Sequence, residues 1–137
     1  MSITAVARQI VEFYEKLSNW EHEVVRGSDL TPGQMHAIEI IGHDQSLRMK
    51  ELAEKLGVTT GTLTVTVDRL EHKGLIERKP HETDRRSYRV VLTETGQDHF
   101  TRHHQFHLKL TEELVSTLTA EELSAFEATL EKIVNQF

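Results

Sequence analysis

The sequence predicts a mainly α-helical fold of about six helices with a single β-hairpin among them, a winged helix-turn-helix flanked by long terminal helices. Three observations predict it. Two short helical patterns meet at Gly57-Val58-Thr59-Thr60. Ile76-Glu77-Arg78-Lys79 is followed by the polar run Pro80 to Arg86 and then by Tyr88-Arg89-Val90-Val91-Leu92, β-favouring residues that can pair back as a hairpin. Apolar residues at three- and four-residue steps recur near both ends of the chain, outside this central block.

In order along the chain, Val6, Ile10, Phe13, Tyr14 and Leu17 mark an amphipathic first helix reaching about Val25, and Arg26-Gly27-Ser28-Asp29 ends it. Thr31-Pro32 is a cap followed by proline at the first helical position, which opens a second helix through Ile38 and Ile41 to about Gly42. Met49 to Leu56 forms a short third helix with Leu52, Ala53 and Leu56 inward, and Gly57 is placed to stop it. A fourth helix starts near Thr59 or Thr60 and runs to Lys73-Gly74, with Leu63, Val67 and Leu70 on its inward stripe. After the hairpin, Thr93-Glu94-Thr95-Gly96 opens a long helix carrying Phe100, Phe106, Leu108, Leu110, Leu114 and Leu118. Thr119-Ala120-Glu121-Glu122 is a capping-box pattern for a last helix with Leu123, Phe126, Leu130, Ile133, Val134 and Phe137. The expected organisation is one domain over 1–137, with a head over about 31–92 and dimerisation helices over about 1–27 and 93–137.

Length and composition set limits on function. A 137-residue chain, 37% hydrophobic and 28% charged, is ordinary for one globular domain. No apolar run approaches the roughly 20 residues of a membrane span and no signal-like segment precedes the first helix, so a cytoplasmic protein without membrane association is expected. The absence of cysteine removes thiolate catalysis, disulfides and Cys-ligated metal. The net charge of −6 opposes binding to nucleic acid when taken as a whole, yet its distribution favours it. From Ser46 to Arg89 there are ten basic and seven acidic residues, against six and fifteen in the remainder. The acidic part would be repelled from phosphate, which orients the molecule with its head toward a duplex.

A winged helix-turn-helix is a DNA-binding device, and the fourth helix is its candidate recognition element. Thr60, Thr62, Thr64 and Thr66 crowd this segment although threonine is a mediocre helix former. Hydroxyls and methyls that meet phosphates, base edges and the thymine methyl would account for them, as would a weak helix held by packing. The first two turns lack arginine, and Arg69 comes late, so specificity is expected from hydroxyl contacts, water and DNA shape. Thr59, Thr60, Thr62, Thr64, Arg69 and Lys73 are the candidate contacts here. The surplus apolar surface of the terminal helices suggests a homodimer, the arrangement that reads a pseudo-palindromic operator in double-stranded DNA.

Leu70, Gly74, Leu75, Ile76 and Arg78 fall in the spacing L-x-x-x-G-L-I-x-R, and Asp84, Arg86, Leu92, Thr93 and Gly96 in D-x-R-x5-L-T-x-x-G. Both patterns resemble those of MarR-type regulators, and the resemblance covers nearly the whole chain. It implies a homodimeric transcriptional regulator, probable repressor and no enzyme, whose fourth helix enters the major groove. Its wing, with Arg85 and Arg86, would approach the minor groove, where narrow width attracts arginine. Asp84 would position an arginine through an ion pair.

Nine histidines are the second pattern. His99, His103 and His107 are four apart and share one helix face, with His104 rotated off it by about 100°. Such a row is either a solvated face or half of a metal site, since two imidazoles one turn apart can chelate one ion. Within the MarR family the arrangement resembles the zinc-responsive AdcR/ZitR branch. Carried over, the ligands fall on Glu23, His36, His103 and His107. This implies a regulatory Zn2+ where the first, second and fifth helices meet, acting as a co-repressor. The alternative is a repressor released by a small aromatic or phenolic ligand near Trp20, Phe100 and the histidines. A metalloenzyme is a third reading, disfavoured because His22-Glu23-Val24-Val25-Arg26 does not complete H-E-x-x-H.

Overall fold

The computed structural model describes residues 1–84 and 86–137; Arg85, one of the two expected wing arginines, lies outside the described residues. Helices α1 (Ile3–Arg26), α2 (Pro32–Asp44), α3 (Met49–Leu56) and α4 (Thr60–His72) come first, with a two-residue strand β1 (Leu47–Arg48) before α3. Strands β2 (Ile76–Pro80) and β3 (Tyr88–Leu92) follow, then α5 (Glu94–Val115) and α6 (Ala120–Gln136). The fold is therefore mainly helical with a winged head, as the sequence predicts. Where a single 137-residue domain is expected, contacts divide the chain into two units, 1–104 and 105–137, with the boundary inside α5. No helix among the described residues is long and apolar enough to cross a membrane.

In the first unit, local chemistry fixes the helix ends. Thr31 and Gln34 form a reciprocal capping box at the start of α2, with Pro32 at the first helical position, so the free N–H groups of that end are met. Gly57 ends α3 at φ 68°, and Gly74 turns the chain into β2 at φ 76°, a region where a side chain would be strained. The core lies between α2, α3, α4 and the sheet, where Ile38, Ile41, Leu52, Leu63, Val67, Leu70 and Val90 are fully buried. β3 is the middle strand of an antiparallel sheet ordered β1-β3-β2, with Arg78 opposite Val90 and Leu47 on the other edge of the same residue.

The L-T-x-x-G pattern has a physical cause. Thr93 donates its N–H to the Leu75 carbonyl and its hydroxyl to the Gly74 carbonyl, and accepts from the Gly96 N–H at 3.0 Å, which closes the first turn of α5. Any Cβ on Gly96 would run into the Leu75 carbonyl, so only glycine lets α5 start this close to β2. Arg78 ties β2 to α4. Its guanidinium reaches Asp68 at 2.5 Å and Glu71 at 3.0 Å, and the Asp68 hydrogen bond, with help from the Glu71 charge, raises its pKa further.

The second unit holds the end of α5 and all of α6. Thr119 and Glu122 form the expected capping box. No residue of α6 is buried, and Leu123, Phe126, Leu130, Ile133 and Val134 are all at least 40% exposed.

Candidate DNA interface and a histidine-carboxylate site

α4 begins at Thr59, whose hydroxyl oxygen accepts the Thr62 N–H and whose own proton goes to Thr62 Oγ1 at 3.1 Å. The threonines further along donate back into the helix, Thr64 to the Thr60 carbonyl and Thr66 to the Thr62 carbonyl. These bonds use the hydroxyl protons of Thr64 and Thr66 within the helix. Thr60, Thr62, Thr64 and Arg69 are exposed, as a recognition helix requires. The Lys73 ammonium donates to the Asp29 carbonyl and faces the Asp29 carboxylate at 3.9 Å, so it ties the end of α4 to the α1–α2 loop.

The wing is shaped by its own backbone. Asp84 Oδ1 accepts the backbone N–H of Arg86 at 3.0 Å, the Asp84 carbonyl accepts from Ser87, and the Ser87 carbonyl accepts from His81. Asp84 thus forms an Asx turn that sets the course of the chain at Arg86. Arg86 itself is exposed.

An open crevice of about 660 Å³ separates the start of α3, the start of α4 and the wing, lined by Arg48, Lys50, Thr60, Arg86 and Tyr88 among others. Arg48 and Lys50 were not expected from the sequence. β1 brings them here by pairing with β3 across 42 residues, and so short a strand leaves no local pattern to read. Arg48 also lies 2.8 Å from His81 Nε2, and His81 Nδ1 accepts the backbone N–H groups of Thr83 and Asp84 at 3.3 and 3.2 Å. The result is a wing braced against α3 with three cations around one opening.

A second group lies where α1, α2 and α5 approach one another within the first unit. His103 is 1% exposed at its side chain, and its Nε2 is 3.0 Å from Glu39 Oε1 and 3.2 Å from Glu21 Oε2. Burial alone would lower its pKa, but the hydrogen bonds and charges of Glu39 and Glu21 prevail and raise it above the usual histidine value. Glu21, Glu39 and His103 offer ligand atoms within 4.8 Å of one another. His107 follows one turn later on the same face of α5 and is half-buried.

This corrects the expected ligand set. Glu23 points away, 72% exposed at its side chain and paired with Arg26 at 3.7 Å, and His36 is exposed. In α1 helix phase gives the reason, because Glu21 and Glu23 are two apart and differ by about 200° around the axis. Leu17, Glu21 and Val25 form one inward stripe of α1, and Met35, Ile38, Glu39 and Gly42 one inward stripe of α2. A glutamate inside each apolar stripe was the signal, and it outranks the neighbouring histidines as a guide to the site. His103 also leaves no room for the solvated-face reading at its own position.

Two carboxylates drawn toward a buried imidazole need positive charge nearby, which a proton on His103 supplies in part and a divalent ion would supply in full. The donors fit a zinc ion by type, carboxylate oxygen and neutral imidazole, with the count completed by His107 or water. The aromatic residues near this group are already packed on one another. Phe100 stacks on His104 at 5.6 Å and meets His43 edge-on at 5.1 Å, and it fills the space where Gly42 lacks a side chain. That packing gives an apolar or phenolic ligand no advantage.

A model of the MarR family matches residues 30–88, the span from the end of the α1–α2 loop to the start of β3. The multiple antibiotic resistance protein MarR of Escherichia coli is 32% identical over 133 residues, 96% of this chain and 92% of that protein. The chain belongs to the MarR family. YfiV of Bacillus subtilis, an uncharacterized HTH-type transcriptional regulator, is 35% identical over 98 residues, which span 71% of this chain but 61% of YfiV. Streptococcus pneumoniae FabT, solved in complex with DNA, superposes with a TM-score of 0.86 at 27% identity, over 98% of this chain and 96% of that one. As a MarR-family protein the chain is a winged-helix DNA-binding transcriptional regulator.

Proposed function

We propose that this MarR-family chain acts as a homodimeric repressor that places α4 in the major groove of a pseudo-palindromic operator and the wing, through Arg86, at the minor groove. The observation that carries the reading is the gathering of Arg48, Lys50 and Arg86 around one crevice at the start of α4 in a chain whose net charge is −6. Three cations at one edge of an acidic molecule form a phosphate-binding face, and phosphate contacts fix the register in which a recognition helix meets base edges. The uncovered apolar residues of α1 and α6 favour a second copy, and a two-fold pair matches the symmetry of an operator. The complex of FabT with DNA supports the same mode of use.

The test is operator binding followed by fluorescence anisotropy across a salt series, with molar mass measured by light scattering. A dimer whose affinity falls steeply with salt is expected; a monomer, or binding that ignores salt, would end the reading.

The metal response rests on residue chemistry alone. A divalent ion, with zinc favoured, would bind Glu21, Glu39 and His103, with His107 from the next turn of α5. By joining α1, α2 and α5 it would bias the arrangement of the head, and reciprocity requires DNA to tighten the ion by the same factor, typically worth about 1–3 kcal/mol. Zinc titrated into chelated protein while operator binding is followed tests this directly. Unchanged affinity for DNA at saturating zinc would remove the co-repressor role.

A further inference from the structure

Resting on the reading that α4 enters the major groove, we propose that this helix selects operator half-sites carrying adjacent thymines, recognising their 5-methyl groups with Val65 and the methyl of Thr62 while Gly61 lets the helix backbone close on the bases. The stretch Thr59 to Val67 contains no arginine, lysine, asparagine, glutamine, aspartate or glutamate. Those are the side chains that read guanine, adenine and cytosine by hydrogen bonds, so the front of this helix cannot use the usual bidentate code. Asp68, the first charged residue, is held by Arg78. Arg69 comes ten residues after the N-cap, about 15 Å along the axis at the rise of an α-helix.

Beside the exposed hydroxyls of Thr60 and Thr62, the front of α4 presents apolar surface. Val65 stands opposite the buried stripe of Leu63, Val67 and Leu70 and is 49% exposed, with Gly61 and Thr62 one turn before it on the same side. The hydroxyl protons of Thr64 and Thr66 are spent on helix carbonyls. The thymine methyl is the one apolar feature of the major-groove floor, which makes it the complement of this surface. Gly61 gives a second, independent pointer. A Cβ there would meet nothing nearer than Thr59 Oγ1 at 4.0 Å, and the residue does not need a positive φ. Glycine inside a helix is unfavourable, and here nothing within the chain requires it. The space it leaves serves a surface outside the chain.

The test uses the purified full chain. An operator is selected from a randomised duplex pool, and each thymine of its half-sites is then replaced by deoxyuridine, which removes the methyl and keeps every hydrogen-bonding group. Affinity is expected to fall about 4-fold at each contacted thymine, the effect of one buried methyl. Val65→Ala should bind the selected operator more weakly and respond less to deoxyuridine than the wild type at the same positions. Gly61→Ala should raise the thermal midpoint and lower operator affinity. Operators rich in guanine, full tolerance of deoxyuridine, or undiminished methyl discrimination by Val65→Ala would overturn methyl recognition while leaving DNA binding intact. Failure to enrich any sequence over random duplex would overturn the major-groove reading and this inference with it.

Discussion

In the winged head, Ile38, Leu52, Leu63, Leu70, Ile76 and Val90 are at most 1% exposed, whereas α6 buries none of its residues and α1 leaves Phe13 and Tyr14 more than half exposed. The two regions have similar apolar patterns in sequence and opposite fates in the folded chain. The head meets its own burial requirement, because a three-stranded sheet and three short helices enclose their inward stripes. The terminal helices carry stripes that their own surroundings do not close, and apolar area of that kind is worth about 25 cal/mol per Å² to whatever covers it. Stability and assembly are therefore expected to separate by region.

The sharpest way to break that separation is in the head core. Leu63→Ala removes a fully buried side chain between α4 and the sheet, and should cost about 3 kcal/mol by urea denaturation with little room for collapse. Next in size is the apolar face of α6. Phe126→Asp with Leu130→Asp should leave the denaturation midpoint of the head near its wild-type value and convert the dimer to monomer in light scattering. Operator affinity should then fall by about 100-fold, or about 2.7 kcal/mol, since each head alone holds one half-site. A doubly substituted protein that stays dimeric would show that α6 is covered by something other than a second copy.

Most of this contrast was legible beforehand for the head and little of it for the histidine-carboxylate group. Caps such as Thr31-Pro32, Thr59 and Thr119 fix helix starts through bonds to residues three positions away, so α2, α4 and α6 start where expected, at Pro32, Thr60 and Ala120. The β1 strand escaped because its two residues owe their conformation to Val90 and Arg89, far along the chain. Glu21 and Glu39 escaped for a different reason. Residue types carried over from a resemblance selected Glu23 and His36, while helical phase, which the sequence does contain, places the neighbouring glutamates inward.

The histidine-carboxylate group supplies a middle-sized prediction. Glu39→Gln keeps the shape but removes a negative charge 3.0 Å from His103 Nε2, so zinc affinity measured by competition with a chelating dye should drop about 10- to 100-fold. Glu23→Gln should change it little, which distinguishes the observed group from the expected one. Proton competition has a definite sign. Because the two glutamates raise the His103 pKa, zinc binding should begin to weaken as pH falls while still above the ordinary value of about 6.5.

The smallest expected effects concern the cations of the head, and they discriminate most finely between exposure and engagement. Arg86 is exposed at the turn that Asp84 sets, so Arg86→Ala should weaken operator binding about 10-fold and lower the salt slope by about one counterion. Lys73 lies in the same basic segment by sequence, but its ammonium already rests on the Asp29 carbonyl. Lys73→Ala should therefore leave the salt slope unchanged and lower stability by no more than about 0.5 kcal/mol, as expected for a partly exposed pair. Equal slopes for the two variants would mean that Lys73 leaves Asp29 when a duplex arrives. The link between the end of α4 and the α1–α2 loop would then open on DNA binding, giving the head a moving part that the free chain holds shut.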